Sequence, residues 1–98
     1  MHYTIETTDT FLEWFDELKD KTVKNKILAR LTRVENGNFG DHKQLSNNLF
    51  ELRFFFGSGF RVYYTLRNSQ LVLLVKGGDK ASQAKDIEKA KQILSELE

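Results

Sequence analysis

Residues 50–76 read FELRFFFGSGFRVYYTLRNSQLVLLVK, and this stretch decides the fold. It holds three runs rich in aromatic and β-branched residues: Phe50 to Phe56, Phe60 to Arg67, and Gln70 to Lys76. Gly57-Ser58-Gly59 separates the first two, and a short turn near Asn68-Ser69 the last two. Such Gly- or Asn-containing gaps are hairpin signals, so an antiparallel meander is expected. Side chains alternate along a strand. Turning the hairpins about Ser58 and about Asn68-Ser69 puts Leu52, Phe54, Val62, Tyr64, Leu66, Leu71, Leu73 and Val75 on one apolar face. The other face then carries Glu51, Arg53, Phe55, Arg61, Tyr63, Thr65, Val72, Leu74 and Lys76. In that register Arg53 lies opposite Tyr63, Phe55 opposite Arg61, and Arg61 opposite Lys76.

The flanks supply helices. Residues 2–6 form a weak strand pattern, and Thr8-Asp9-Thr10 provides capping side chains. Phe11, Trp14, Phe15 and Leu18 follow as one helical stripe. Asp20-Lys21-Thr22 breaks it, with Thr22 read as the next N-cap. Val23, Ile27, Leu31 and Val34 form a second stripe, which Gly37 stops. Residues 37–48 read as loop. Gly77-Gly78 reads as a flexible passage from strand to helix, and Ser82 caps a helix carrying Ile87, Ala90, Leu94 and Leu97. The expected order is β-α-α-β-β-β-α. This is an α+β fold: a small antiparallel sheet, an N-terminal helix hairpin and a C-terminal helix, with the helices packed on the apolar face. Residues 1–98 read as a single domain without a linker.

Composition narrows the chemistry. The 98 residues include no Cys, which removes disulfides, thiolate metal sites and Cys nucleophiles. Two His, at 2 and 42, are too few to build a metal site or a readable Ser-His-Asp set, and His42 in a polar loop reads as solvated. No cofactor or metal is expected. No apolar run is long enough to span a membrane and no secretory signal is read, so a cytoplasmic location is the expectation. The net charge of +1 hides an asymmetry. Residues 1–20 hold six acids and one base, whereas residues 21–98 hold 14 bases and eight acids. A basic body of this kind attracts polyanions even when the total is near neutral.

The basic face of the meander gives that attraction a place. Arg53, Arg61 and Lys76 converge there beside Tyr63 and Phe55, and Lys80 reaches over it. Arginine presents a planar fork to a phosphodiester, lysine a mobile charge, and aromatic rings a stacking surface. Fixed cations stabilise a transition state that gains charge at phosphorus. Glu51 reads as an ion-pair partner of Arg61 or Lys76, with a general-base role also open. Asp79 and Asp86 have no third ligand for a metal.

Three segments together resemble the RelE/ParE toxin superfamily, and most its HigB-like, phage-associated branch of addiction-module killer proteins. They are Phe50-Glu51-Leu52-Arg53-Phe54, Gly59-Phe60-Arg61-Val62-Tyr63-Tyr64, and Leu74 to Lys80 continued by Ser82-Gln83 and Asp86-Ile87. The resemblance spans nearly the whole chain. It implies the toxin of a type II toxin–antitoxin pair, an endoribonuclease that enters the ribosome and cuts mRNA. The implied chemistry is metal-independent attack of a ribose 2′-OH on the adjacent phosphate. Arg61 matches the arginine that clamps the scissile phosphate, Arg53 a basic residue on the preceding strand, and Lys80 a basic residue after the last strand. Glu51 stands where some members carry a second basic residue, and Asp86 falls near a position where some carry a catalytic tyrosine. The acid and base are therefore open among Glu51, Lys76, Tyr63 and Asp86, with Phe55 a candidate for substrate contact. The implied partners are the ribosome with its mRNA and a cognate antitoxin, usually of helix-turn-helix type, through which alone operator DNA is reached. Within the same superfamily, ParE-like toxins instead poison DNA gyrase without catalysis, and a plain interaction module with a degenerate site is a third reading.

Overall fold

The computed structural model describes residues 2–97. Strand β1 (Thr4–Thr7) leads into helices α1 (Asp9–Glu17) and α2 (Lys21–Glu35). Four strands follow: β2 (His42–Gln44), β3 (Phe50–Arg53), β4 (Arg61–Arg67) and β5 (Leu71–Gly78). Helix α3 (Gln83–Leu97) closes the described chain. The sheet order is β1-β5-β4-β3-β2. It is a mixed sheet, because β1 runs parallel to β5 while every other pairing is antiparallel. The α+β class and the meander are as expected from sequence. The parallel edge and β2 are additions to it. Strand β2 escaped the sequence reading because His42, Lys43 and Gln44 are all exposed on an edge, so no hydrophobic alternation marks them.

Local chemistry sets the helix ends. The Thr8 hydroxyl oxygen accepts from the Phe11 amide and donates to the Val75 carbonyl at 2.7 Å, so the cap of α1 also docks the helix on β5. Asp20, not Thr22, caps α2: its Oδ1 accepts from the Thr22 and Val23 amides. At the other end Gly37, with φ of 90°, donates to the Val34 carbonyl and Asn38 to the Arg33 carbonyl. That pair of bonds is a Schellman motif, which glycine permits at no steric cost.

Two cores flank the sheet. On one side Phe11 of α1 and Ile27 and Val34 of α2 pack with Leu52, Phe54, Val62, Tyr64, Val72 and Leu74. On the other, Ala90 and Leu94 of α3 pack with Leu49, Tyr63 and Val75. The helices therefore occupy both faces, which corrects the expectation of a single covered face. The face carrying Arg61 is partly roofed by α3.

The register explains the correction. Strand β3 pairs with β4 as Arg53↔Arg61 and Glu51↔Tyr63, two residues from the expected pairing, so each side chain keeps its face. The turn from β4 to β5 is one residue longer than read, giving Arg67↔Leu71. A shift of one exchanges faces, so Val72 and Leu74 join the main core and Leu73 and Val75 the α3 side. A bulge then follows: Tyr64 pairs with Leu74 but Tyr63 with Lys76, with Val75 the extra residue. The bulge returns Lys76 to the face of Tyr63. Leu66, read as core, is 37% exposed.

Candidate functional site

Strand β4 and the loop before it build an open depression. The loop spans residues 54–60, and the Phe54 amide donates to the Phe60 carbonyl across its mouth. Gly59 adopts φ of 75°, which turns its carbonyl toward Arg61. Arg61 Nη1 donates to the Gly59 and Phe60 carbonyls at 3.1 and 3.2 Å, so the guanidinium is braced on its own backbone. Lys80 arrives from beyond β5. Its backbone amide donates to the Ser58 carbonyl at 3.4 Å, which ties it to the loop instead of leaving it on a flexible tether. A Cβ on Gly59 would lie 3.3 Å from Lys80 Cβ and 3.7 Å from Arg61 Nη1. The missing side chain keeps the space between the two cations open. Phe54, Phe55, residues 57–59, Arg61 and Lys80 line a depression of about 370 Å³. Phe55 stands on its rim, 80% exposed.

Beneath α3 the remaining candidates form a closed network. Glu51 is 1% exposed and accepts from Gln83 Nε2 at 2.8 Å. Its Oε2 lies 3.9 Å from Arg61 Nε. Asp86 bridges Lys76 Nζ at 3.3 Å and accepts from the Ser82 hydroxyl at 2.5 Å. Tyr63 is fully buried. Burial, and next the carboxylate of Glu51, pushes its phenol well above the ordinary value. Tyr63 packs in the α3-side core with Leu49, Val75, Ala90 and Leu94. Glu51 and Asp86 balance Arg61 and Lys76, as buried ions require.

The two glycines ending β5 serve this packing. Neither has positive φ. A Cβ on Gly77 would overlap the Trp14 indole of α1, and one on Gly78 the Asp86 carboxylate of α3. They are the points where helices on opposite faces press closest to the sheet. This corrects their reading as a flexible passage.

Arg53 sits between the two regions. It is directly opposite Arg61 in the ladder, yet its guanidinium is clamped by Asp41 through Nε at 3.1 Å and Nη2 at 3.2 Å. His42 is exposed, with Nδ1 at 2.9 Å from the Gly40 carbonyl. Sequence reading missed Asp41 and gave Gln83 no role, because both act over long chain separations. It also missed Arg30 of α2, which donates to the Phe39, Asp41 and Arg53 carbonyls and lies 4.5 Å over the Phe54 ring. Among the described residues no group of three His, Cys, Asp or Glu could hold a metal ion.

The mixed α+β fold matches that of the toxin RelE. The structure superposes on a doubly substituted E. coli toxin RelE in the free state with a TM-score of 0.73, at 18% identity, over 94% of this chain and 97% of that one. It also matches the intact E. coli RelBE toxin–antitoxin complex with a TM-score of 0.60, at 18% identity, over 79% of this chain and 95% of that one. Residues 13–95 match the model of the family described as phage derived protein, Gp49-like, and the chain belongs to that family. It is 47% identical to an uncharacterized protein of Haemophilus influenzae over 99% of this chain and 98% of the relative. The superfamily resemblance read from residues 50–87 is thus borne out in the fold. No helix among the described residues is long and apolar enough to cross a membrane.

Proposed function

We propose that this chain is the toxin of a type II toxin–antitoxin pair and cuts mRNA on the ribosome in the cytoplasm. The observation that carries the reading is the open depression, where Arg61 and Lys80 flank a side-chain-free Gly59 beside an exposed phenylalanine. A phosphodiester seated there meets a braced guanidinium and a mobile ammonium. In the reaction the 2′-oxygen bonds to phosphorus and the P–O5′ bond breaks, leaving a cyclic phosphate. Arg61 stabilises the charge that develops on the phosphoryl oxygens. Lys80, exposed and without an ion pair among the described residues, donates a proton to the departing 5′-oxygen. Glu51, Tyr63, Lys76 and Asp86 are committed to the closed network, so the 2′ proton passes to solvent or to a group of the ribosome. Ribosome dependence follows naturally from a site that lacks its own accessible base. The E. coli RelBE complex supports an antitoxin as partner, and the acidic residues 6–20 offer that partner a surface.

The test is a cell-free translation reaction with a defined message, mapped by primer extension. Cuts are expected only with translating ribosomes and wild-type protein, and not with Arg61→Ala. Intact message and continuing translation with wild-type protein would overturn the reading, and gyrase supercoiling would be assayed next.

A further inference from the structure

A second groove adjoins the depression. It holds about 210 Å³ between α2 and residues 54–56, and it shares Phe54 and Phe55 with the first. Lys26, Arg30 and Arg33 supply its cationic wall. Their spacing of four and three residues puts them on one face of α2. Lys26 and Arg33 are exposed, and neither forms an ion pair among the described residues. Arg30 is occupied differently, bonded to three backbone carbonyls and stacked on Phe54. Lys26 Nζ lies 4.6 Å from the centre of the Phe56 ring. Phe55 stands between the two hollows with its ring in solvent, the most exposed large apolar side chain among those described.

An isolated exposed phenylalanine is an ordinary surface cost. One placed between two cationic hollows is a stacking platform with a charged track on either side, which is how proteins hold single-stranded nucleic acid. The uncompensated cations suit phosphate, and the π-face suits a base of any identity.

We propose that this groove is a second RNA subsite. The strand whose scissile phosphate sits at Arg61 and Lys80 stacks one flanking base on Phe55. Its next phosphates lie against Lys26 and Arg33. The subsite rests on the nuclease reading for the direction of the strand, but its binding is measurable without cleavage. It provides length-dependent, sequence-tolerant affinity for single-stranded RNA.

The test is an amide NMR titration of the full chain at low salt. The probes are a pentanucleotide with 2′-O-methyl riboses, which cannot be cut, and the corresponding dinucleotide. The pentanucleotide is expected to shift residues 26–33 and 54–61 together with Lys80, and the dinucleotide only the set around Arg61 and Lys80. Phe55→Ala is expected to weaken the pentanucleotide at least about fivefold. Lys26→Gln with Arg33→Gln is expected to lower the slope of log affinity against log salt by about 1.4, the value for two phosphate contacts on a single strand. Pentanucleotide shifts confined to the Arg61 set, absent pentanucleotide binding, or variants that bind it like wild type would each overturn the subsite. Variant-sensitive pentanucleotide binding alongside failure to cut mRNA on ribosomes would keep the subsite and remove the nuclease reading.

Discussion

The open depression and the closed network beneath α3 are built from the same residue types and stand back to back at Arg61. In the network, two carboxylates meet two cations and nearly every group is buried. At the depression, Lys80 faces solvent with no ion pair among the described residues, and Lys26 and Arg33 continue that surplus. The difference separates two roles that one list of charged residues conceals. A balanced buried set specifies how α3 seats on the sheet, while an unbalanced exposed set is available to a polyanion. Arg61 belongs to both, braced from the network side and reachable from the open side.

The sharpest way to break the comparison is at that shared residue. Arg61→Ala is expected to lower message cleavage by about 10²- to 10³-fold, the usual loss for a group that stabilises transition-state charge. Lys80→Ala, with no ion pair among the described residues to lose, is expected to lower cleavage as well while leaving the thermal midpoint at the wild-type value. Cleavage ends counted in the translation assay, with circular dichroism to verify folding, check both. A folded Arg61→Ala protein that cuts normally would reassign Arg61 wholly to the closed region.

Next in size is the contact between Gly78 and Asp86. Adding a methyl at Gly78 crowds a carboxylate that is already committed to Lys76 and Ser82. Gly78→Ala is expected to cost up to about 3 kcal/mol as overpacking. Asp86→Ala costs about 3 kcal/mol by leaving Lys76 unpaired beneath the helix. In the double variant the methyl occupies the space the carboxylate left, so the two losses are expected not to add. Urea unfolding of the four proteins measures that coupling, and strict additivity would mean the network does not seat α3 as described.

What could be read from residue order, and what could not, follows from the same geometry. The faces of β3 and β4 were legible because Leu52, Phe54, Val62 and Tyr64 alternate with charged or polar neighbours. Strand β5 offered no such phase. Leu71 to Val75 is an unbroken apolar run, so the face of each residue hung on the length of one turn. The turn took one residue more than expected and inverted five positions, Leu71 to Val75, and the bulge at Val75 took another and restored Lys76. Lys76 was therefore placed on the correct face through two offsetting shifts. The stripe of α3 was read correctly at Ile87, Ala90 and Leu94 but not at Leu97, which is exposed, and the face it covers was not read, because nothing local in Ile87, Ala90 and Leu94 says which side of a sheet they meet. Asp41 and Gln83 were invisible as partners for a similar reason: their contacts with Arg53 and Glu51 exist only once the chain has folded.

A smaller effect follows from the two buried phenols. Burial first, then Glu51, raises the pKa of Tyr63; burial first, then Tyr3, raises that of Tyr64. For an acid whose folded-state pKa is raised, the unfolded chain releases its proton first. The stability held by each neutral phenol is whole below the ordinary value of about 10 and declines as pH rises beyond it, by up to about 1.4 kcal/mol per pH unit. Urea midpoints are expected to fall above about pH 10. Tyr63→Phe should remove about half of that slope. A Tyr63→Phe protein with the full wild-type slope would mean that the phenol titrates freely and that α3 does not seal the network.

The smallest expected change tests the residue that neither region claims outright. The Arg53–Asp41 pair is about one-third exposed on each side, 34% and 33%, so its contribution to stability is expected to stay below about 1 kcal/mol. Its effect on binding has the opposite sign. Asp41 occupies the fork that Arg53 would otherwise turn toward a phosphate beside Arg61, its neighbour across the ladder. Asp41→Asn removes that competition and leaves the side chain's shape. If Arg53 serves the open region, Asp41→Asn tightens the pentanucleotide and Arg53→Ala weakens it, with urea midpoints almost unmoved in both. If Arg53 is only a tie between the β2 edge and β3, the two substitutions lower stability by the same small amount and RNA affinity follows net charge alone. The sizes of the two binding changes, compared with that for Lys43→Ala on the exposed edge strand, decide between these outcomes, because Lys43 changes the net charge from β2, two strands away from Arg61.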